Sequence, residues 1–111
     1  MTIVKKNSAY TFASDLELAK LQTKLESLGP WSWQARDSFY FGDYLSAKVM
    51  PDASRKIRIY EREEGGFQID IFFEGVGDDA EALWEAFHED IVERLLPGVG
   101  ATAVEETETM N

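Results

Sequence analysis

Glu81, Glu85, Glu89 and Glu93 recur four residues apart, and a row of carboxylates is a natural source of paired groups for acid–base chemistry. Such chemistry needs two carboxyls in different environments, so that their pKa values separate. A helical row on one surface gives all four the same surroundings. Like charges at i,i+4 also repel by a few tenths of a kcal/mol per pair, a cost that a basic partner would remove. With Asp78 and Asp79 just ahead of it, the row reads as a candidate partner-binding face rather than a catalytic one.

His88 is the sole histidine, followed by Glu89 and Asp90. Adjacent helical residues point in different directions, and HEDIV lacks the second histidine of a zinc-protease motif, so a packed or solvated histidine is expected and no metal site. Gly75-Val76-Gly77-Asp78-Asp79-Ala80 matches the G-x-G-x-x-A pattern of dinucleotide-binding turns. That turn belongs between the first strand and helix of a parallel βαβ unit. Here it follows the second arm of a hairpin, and two aspartates occupy the place of the phosphates. There is no G-x-S-x-G elbow or S-x-x-K motif. The chain contains no cysteine, which excludes a disulfide framework, a thiolate metal site and a cysteine nucleophile. The expectation is a protein that is not an enzyme and carries no cofactor.

A second candidate surface is aromatic. Trp31, Trp33, Tyr40, Phe41, Tyr44 and Tyr60 exceed what one face of a small sheet needs. Some of these rings are expected on a face turned away from the helices, with Arg36, Arg58 and Arg62 among them. Tyr, Trp and Arg are the residues enriched at interface hot spots. Such a face would suit a second copy of the chain or a flat small ligand.

Charge narrows the choice. The 111 residues carry a net charge of −10, unevenly placed. Residues 1–60 hold nine Lys/Arg against six Asp/Glu, whereas residues 61–111 hold two against fifteen. The acidic half repels nucleic-acid phosphates and anionic lipid and attracts basic partners. The apolar runs are too short to span a membrane, and no signal peptide is visible, so the expected location is the cytoplasm.

The elements that must position these residues follow from periodicity. Residues 1–7 are expected as a loose arm and 8–13 as a short strand. Ser14 and Glu17 form a capping-box pattern ahead of a helix with Leu18, Leu21, Leu25 and Leu28 on one stripe, ended by Gly29-Pro30. Trp31, Trp33 and Ala35 alternate with polar residues as a strand, and 38–49 form a second strand bent near Gly42. Pro51-Asp52-Ala53-Ser54 is a turn. Residues 55–63 place Ile57 and Ile59 inward. Glu64-Gly65-Gly66 makes a hairpin, after which Phe67, Ile69, Ile71 and Phe73 share a face. Asp78, with Glu81 behind it, is expected to cap a helix over 79–96 with Ala80, Leu83, Trp84, Phe87, Ile91 and Leu95 inward. A last strand falls within 99–105, and 106–111 form a frayed tail.

The sequence therefore reads as one α+β domain over residues 1–111, with two helices on one face of an antiparallel sheet in a two-layer sandwich. The element order resembles the ferredoxin-like βαββαβ plan with an additional hairpin between the helices, a pattern that implies no function by itself. The expected function is a non-catalytic, acidic protein-binding module, such as a small inhibitor or immunity-type protein that masks a basic partner. The alternative is a homo-oligomeric, for instance dimeric, or small-ligand-binding sheet domain that uses the aromatic face.

Overall fold

Alternating apolar and polar residues decide which way a strand faces, and the strands at the centre of the sheet follow that rule. The structure, a computed structural model, describes residues 3–29, 31–39, 42–49 and 53–109. Strands β1 (Ile3–Ala13), β2 (Gln34–Ser38), β3 (Gly42–Val49), β4 (Ala53–Glu61), β5 (Phe67–Val76) and β6 (Thr102–Thr107) form one sheet in the order β2-β3-β4-β5-β1-β6. Every neighbouring pair is antiparallel. Helix α1 (Leu18–Leu28) connects β1 to β2, and helix α2 (Ala80–Asp90) begins the connection from β5 to β6. The class is α+β, as the sequence indicates. No helix among the described residues is long and apolar enough to cross a membrane.

Register fixes the core. Ile57 and Ile59 of β4 stand opposite Ile71 and Ile69 of β5, and Ala47 and Leu45 of β3 stand opposite Ile57 and Ile59. These side chains, together with Phe12, Phe67 and Phe73, pack in one cluster with Leu21 and Leu25 of α1 and with Phe87, Ile91 and Leu95. The other parity of β4 and β5 pairs Arg58 with Asp70 and Tyr60 with Gln68 on the opposite face of the sheet. The hairpin between them closes through bonds from Arg62 N to Gly66 O and from Gly65 N to Arg62 O. Gly66 is required there, because its φ is 77° and a Cβ would lie 2.9 Å from the carbonyl oxygen of Phe12.

Several boundaries differ from the sequence reading. Residues 3–7 are not a loose arm but the first half of β1, paired with β5 from Ile3↔Val76 to Asn7↔Phe72. Lys5 and Lys6 mask the alternation, yet Val4 is buried and Lys6 sits on the helix side, 3.4 Å from Glu81. At the other end the last strand reaches Thr107, which pairs with Ala9, so residues 106 and 107 are not frayed. Trp31 and Trp33 precede β2 rather than form it. The Pro51-Asp52 portion of the expected turn lies outside the described residues, and β4 already includes Ala53.

Neither expected capping box forms. The Ser14 hydroxyl donates to the carbonyl of Val99 at 2.8 Å and accepts from Leu16 N at 3.2 Å, and α1 starts at Leu18 with no side-chain cap from Glu17. Ser14 is thus spent on tying the end of β1 to the segment before β6. Asp79 rather than Asp78 precedes α2, again without a side-chain bond to the backbone, while Glu81 reaches Lys6.

Beyond Asp90 the helix widens into a π turn over Ile91–Leu95, where Leu96 N bonds to Ile91 O, before a final turn Leu96–Gly98. Pro97 explains the widening. It has no N–H to give to the carbonyl four residues back, and its ring would crowd that carbonyl in a regular helix. The slower rotation of the wide turn also keeps Ile91, Leu95 and Leu96 all buried.

Phe87 is the centre of the helix-side packing, with its ring centroid 5.4 Å from Trp31, 6.2 Å from Trp84 and 6.3 Å from Phe73. Phe87→Ala is expected to cost about 3–5 kcal/mol of unfolding free energy in urea titration. A cost of about 1 kcal/mol or less would show that the site collapses around the missing ring.

Candidate functional site

The acidic candidates are all exposed. Asp78 and Asp79 lie in the turn before α2, and Glu81, Glu85, Glu89 and Glu93 lie on the helix and its π turn. Glu81 pairs with Lys6, whereas Glu85, Glu89 and Glu93 make no ion pair among the described residues. Asp90, one residue from Glu89, does not join the row. Its carboxylate takes two hydrogen bonds from Arg94, at 2.7 and 2.9 Å, and Arg94 in turn donates to the carbonyl of Leu28 at 2.7 Å. The result is a stripe of uncompensated carboxylates beside a closed structural ion pair.

His88 turns away from that stripe. Its Nε2 lies 2.8 Å from the Tyr10 hydroxyl, and its ring lies 5.0 Å from that of Trp84, so it serves as a packing and hydrogen-bonding link between α2 and β1. Among the described residues, no group of three or more His, Asp or Glu side chains is placed to hold a metal ion.

The aromatic face is largely dismantled. Trp31 and Trp33 are buried in the core with the helices, so they cannot belong to a surface patch. Gln22 holds the second of them in place by donating to the Trp33 carbonyl at 3.0 Å. Their alternation with polar residues was a true sign of sidedness, but it faced them inward. Tyr40 lies outside the described residues. Tyr44 and Tyr60 do share the face away from the helices, standing opposite each other on β3 and β4. Arg62 lies at the hairpin, 3.5 Å from Glu64. Tyr60 is only 3% exposed.

What covers Tyr60 is a polar network. Asp70 is fully buried although it lies on the face opposite the helices. Arg58 approaches its Oδ2 with Nη2 at 2.7 Å and Nε at 3.3 Å. Gln68 Nε2 donates to Oδ1 at 2.8 Å and to the Glu108 carbonyl at 3.0 Å, which ties the network to the chain beyond β6. The Arg58 guanidinium lies 5.3 Å from the Phe72 ring centroid and 5.9 Å from that of Tyr60. Burial, and then the neighbouring Asp70 carboxylate that accepts from its hydroxyl, push the Tyr60 phenol above the ordinary tyrosine range. The alternation along β5 sets Asp70 on the face away from Ile69 and Ile71, but alternation alone does not show that the residue is buried. The signal was there in the hairpin: pairing outward from Gly65-Gly66 sets Arg58 of β4 directly across from it. A sealed network with every carboxylate oxygen engaged is a structural device, with no open position for a reacting group.

Removing one partner of such a pair strands a buried charge. Arg58→Met is expected to destabilise the protein by about 3–5 kcal/mol, and adding Asp70→Leu should recover most of that loss in a double-mutant cycle. Equal losses in the single and double variants would mean that the pair is not coupled. The Tyr60 shift carries its own pH signature. Below about pH 10 the phenol is protonated in folded and unfolded chains alike. Above it the unfolded chain releases the proton while the folded chain keeps it, so stability falls as pH rises. Urea midpoints measured from pH 8 to 11 should fall less steeply in Tyr60→Phe than in the wild type.

No protein-family model matches this chain, and comparison with curated proteins finds no similar sequence, so the functional argument rests on the chain's own geometry and charge.

Proposed function

We propose that this protein is a non-catalytic binding module whose acidic helix face, Asp78, Asp79, Glu81, Glu85, Glu89 and Glu93, masks a basic surface on a protein partner, as a small inhibitor or immunity-type protein would. The observation that carries this reading is that Glu85, Glu89 and Glu93 stand exposed along one helix with no basic side chain paired to them among the described residues. A fold can neutralise such a row cheaply, as it does at Asp90 with Arg94. Leaving the row open costs repulsion and gives a directed negative field, which speeds encounter with a basic partner. The module is proposed to act in the cytoplasm.

The ferredoxin-like plan belongs to the same proposal. The run β6-β1-β5-β4 places the first strand between the two strands that flank α2 in sequence, as that plan requires. The β2–β3 hairpin then extends the sheet at one side, with the two helices layered on a single face.

The test is charge reversal. Glu85→Lys/Glu89→Lys should fold as the wild type does, because both side chains are exposed. Against the basic protein captured by wild type from its native host at low salt, the variant should associate about tenfold or more slowly, with the difference shrinking at high salt. Equal association rates for both proteins at both salt concentrations would sink the acidic-face reading.

A further inference from the structure

The sheet face away from the helices carries a basic groove that the acidic-face reading does not use. Gln34 and Arg36 of β2, Tyr44, Ser46 and Lys48 of β3 and Lys56 of β4 border about 530 Å³ of open space. Among the described residues no carboxylate borders it. Arg36, Lys48 and Lys56 make no ion pair among the described residues, although the chain holds 21 acidic side chains. Register makes the arrangement costly: Lys48 stands directly opposite Lys56 on the neighbouring strand, and like charges at facing positions destabilise a sheet.

We infer that this groove binds a small ligand carrying a diphosphate group. Three cations, the Ser46 hydroxyl and the Gln34 amide converge on it from three strands, and Arg36 is held in place by a 2.7 Å bond to Gln34 Oε1. Arginine supplies a planar fork and lysine a point charge, the two donor types that recognise phosphate. Lys48 lies four residues along β3 from Tyr44, which stands opposite Arg36. The two ends of the groove are therefore about 13 Å apart along the strand, so the long arginine and lysine side chains must lean toward each other to meet on one diphosphate. The volume matches small-molecule sites rather than a polymer track. The −13 balance of residues 61–111 weighs in the same direction. Its long-range field opposes a polyanion far more than a small, few-fold charged ligand.

Titration of the full chain with inorganic pyrophosphate and with ADP, followed by amide NMR, tests this. Saturable shifts centred on Gln34, Arg36, Ser46, Lys48 and Lys56 are expected with both probes. Lys48→Gln/Lys56→Gln should weaken binding by at least about tenfold, the loss expected for two charge-assisted contacts. The same variant should keep or raise the Tm of the free protein, because the facing charges are gone. Glu85→Lys/Glu89→Lys should leave pyrophosphate affinity no weaker, which separates this site from the acidic face. Shifts that fail to saturate, or that survive unchanged in the lysine variant, would overturn the assignment. So would a fall in the variant's Tm, or tighter binding of a thymidine oligonucleotide than of either probe.

Discussion

A carboxylate with no access to water is tolerable only if its partners are guaranteed, and the position of Asp70 makes the pairing of β4 with β5 that guarantee. Sliding one strand by a single residue would turn Asp70 toward Ile57, Ile59 and the helices and send Ile69 and Ile71 to the other face. It would also separate Asp70 from Arg58. Apolar burial on one face and ion pairing on the other thus select the same register. Agreement between independent constraints is what gives a sequence a single low-energy arrangement. The glycine hairpin at Gly65-Gly66 starts that register, and the Arg58–Asp70 pair locks it about four residues further along.

The rest of the molecule hangs on this hairpin. β1 pairs with β5 along ten positions and brings Phe12 and Val4 into the core, while the Gln68 amide reaches past β1 to the Glu108 carbonyl. The two helical connections are linked where they end: Arg94 donates to the Leu28 carbonyl, and Gly98 leaves room for the Leu28 side chain, whose Cδ1 would lie 2.5 Å from an added Cβ. The π turn before Pro97 serves that junction, since it lets one helix keep a continuous buried stripe up to Val99.

Elements whose signal is a period were legible in the sequence. Phe67, Ile69, Ile71 and Phe73 alternate with polar residues, and Ala80, Phe87, Ile91 and Leu95 recur at helical spacing; both sets are buried as their patterns imply. Features decided by distant contacts were not. Ser14 and Glu17 satisfy a local capping rule, but a carbonyl 85 residues away competes for the same hydroxyl and wins. Lys5 and Lys6 hide the start of β1 because lysine extends an aliphatic stem along the sheet while its charge reaches out to Glu74 and Glu81. Trp31 and Trp33 were misplaced for a related reason. Counting rings shows that one sheet face cannot hold them all, but not that the segment before β2 would fold both indoles under the helices. Of the acidic face, exposure and placement were legible. The basic groove was not, since it assembles residues from three strands whose register the sequence alone leaves open.

The resulting distribution of charge is itself a constraint on what can bind where. β6, one edge of the sheet, carries Glu105 and Glu106, with Glu108 just beyond, all exposed. Edge-to-edge pairing of two copies through β6 would therefore bring acidic strands together, which is a standard way of keeping an edge from templating aggregation. The opposite edge, β2, is short and holds Arg36 and Asp37 side by side. Between the edges, the positive side chains gather on the β2–β4 end of the open face while the negative ones gather on α2 and beyond β5. Within about 10 Å, the screening length at moderate salt, each region acts on its own, so a basic macromolecule and a small anion would be drawn to different places. A chain needing only solubility would gain more from mixing its charges than from separating them. Keeping Lys48 against Lys56 and leaving Glu85, Glu89 and Glu93 unpaired lowers stability in two places at once, and binding is the physical function that would offset both costs.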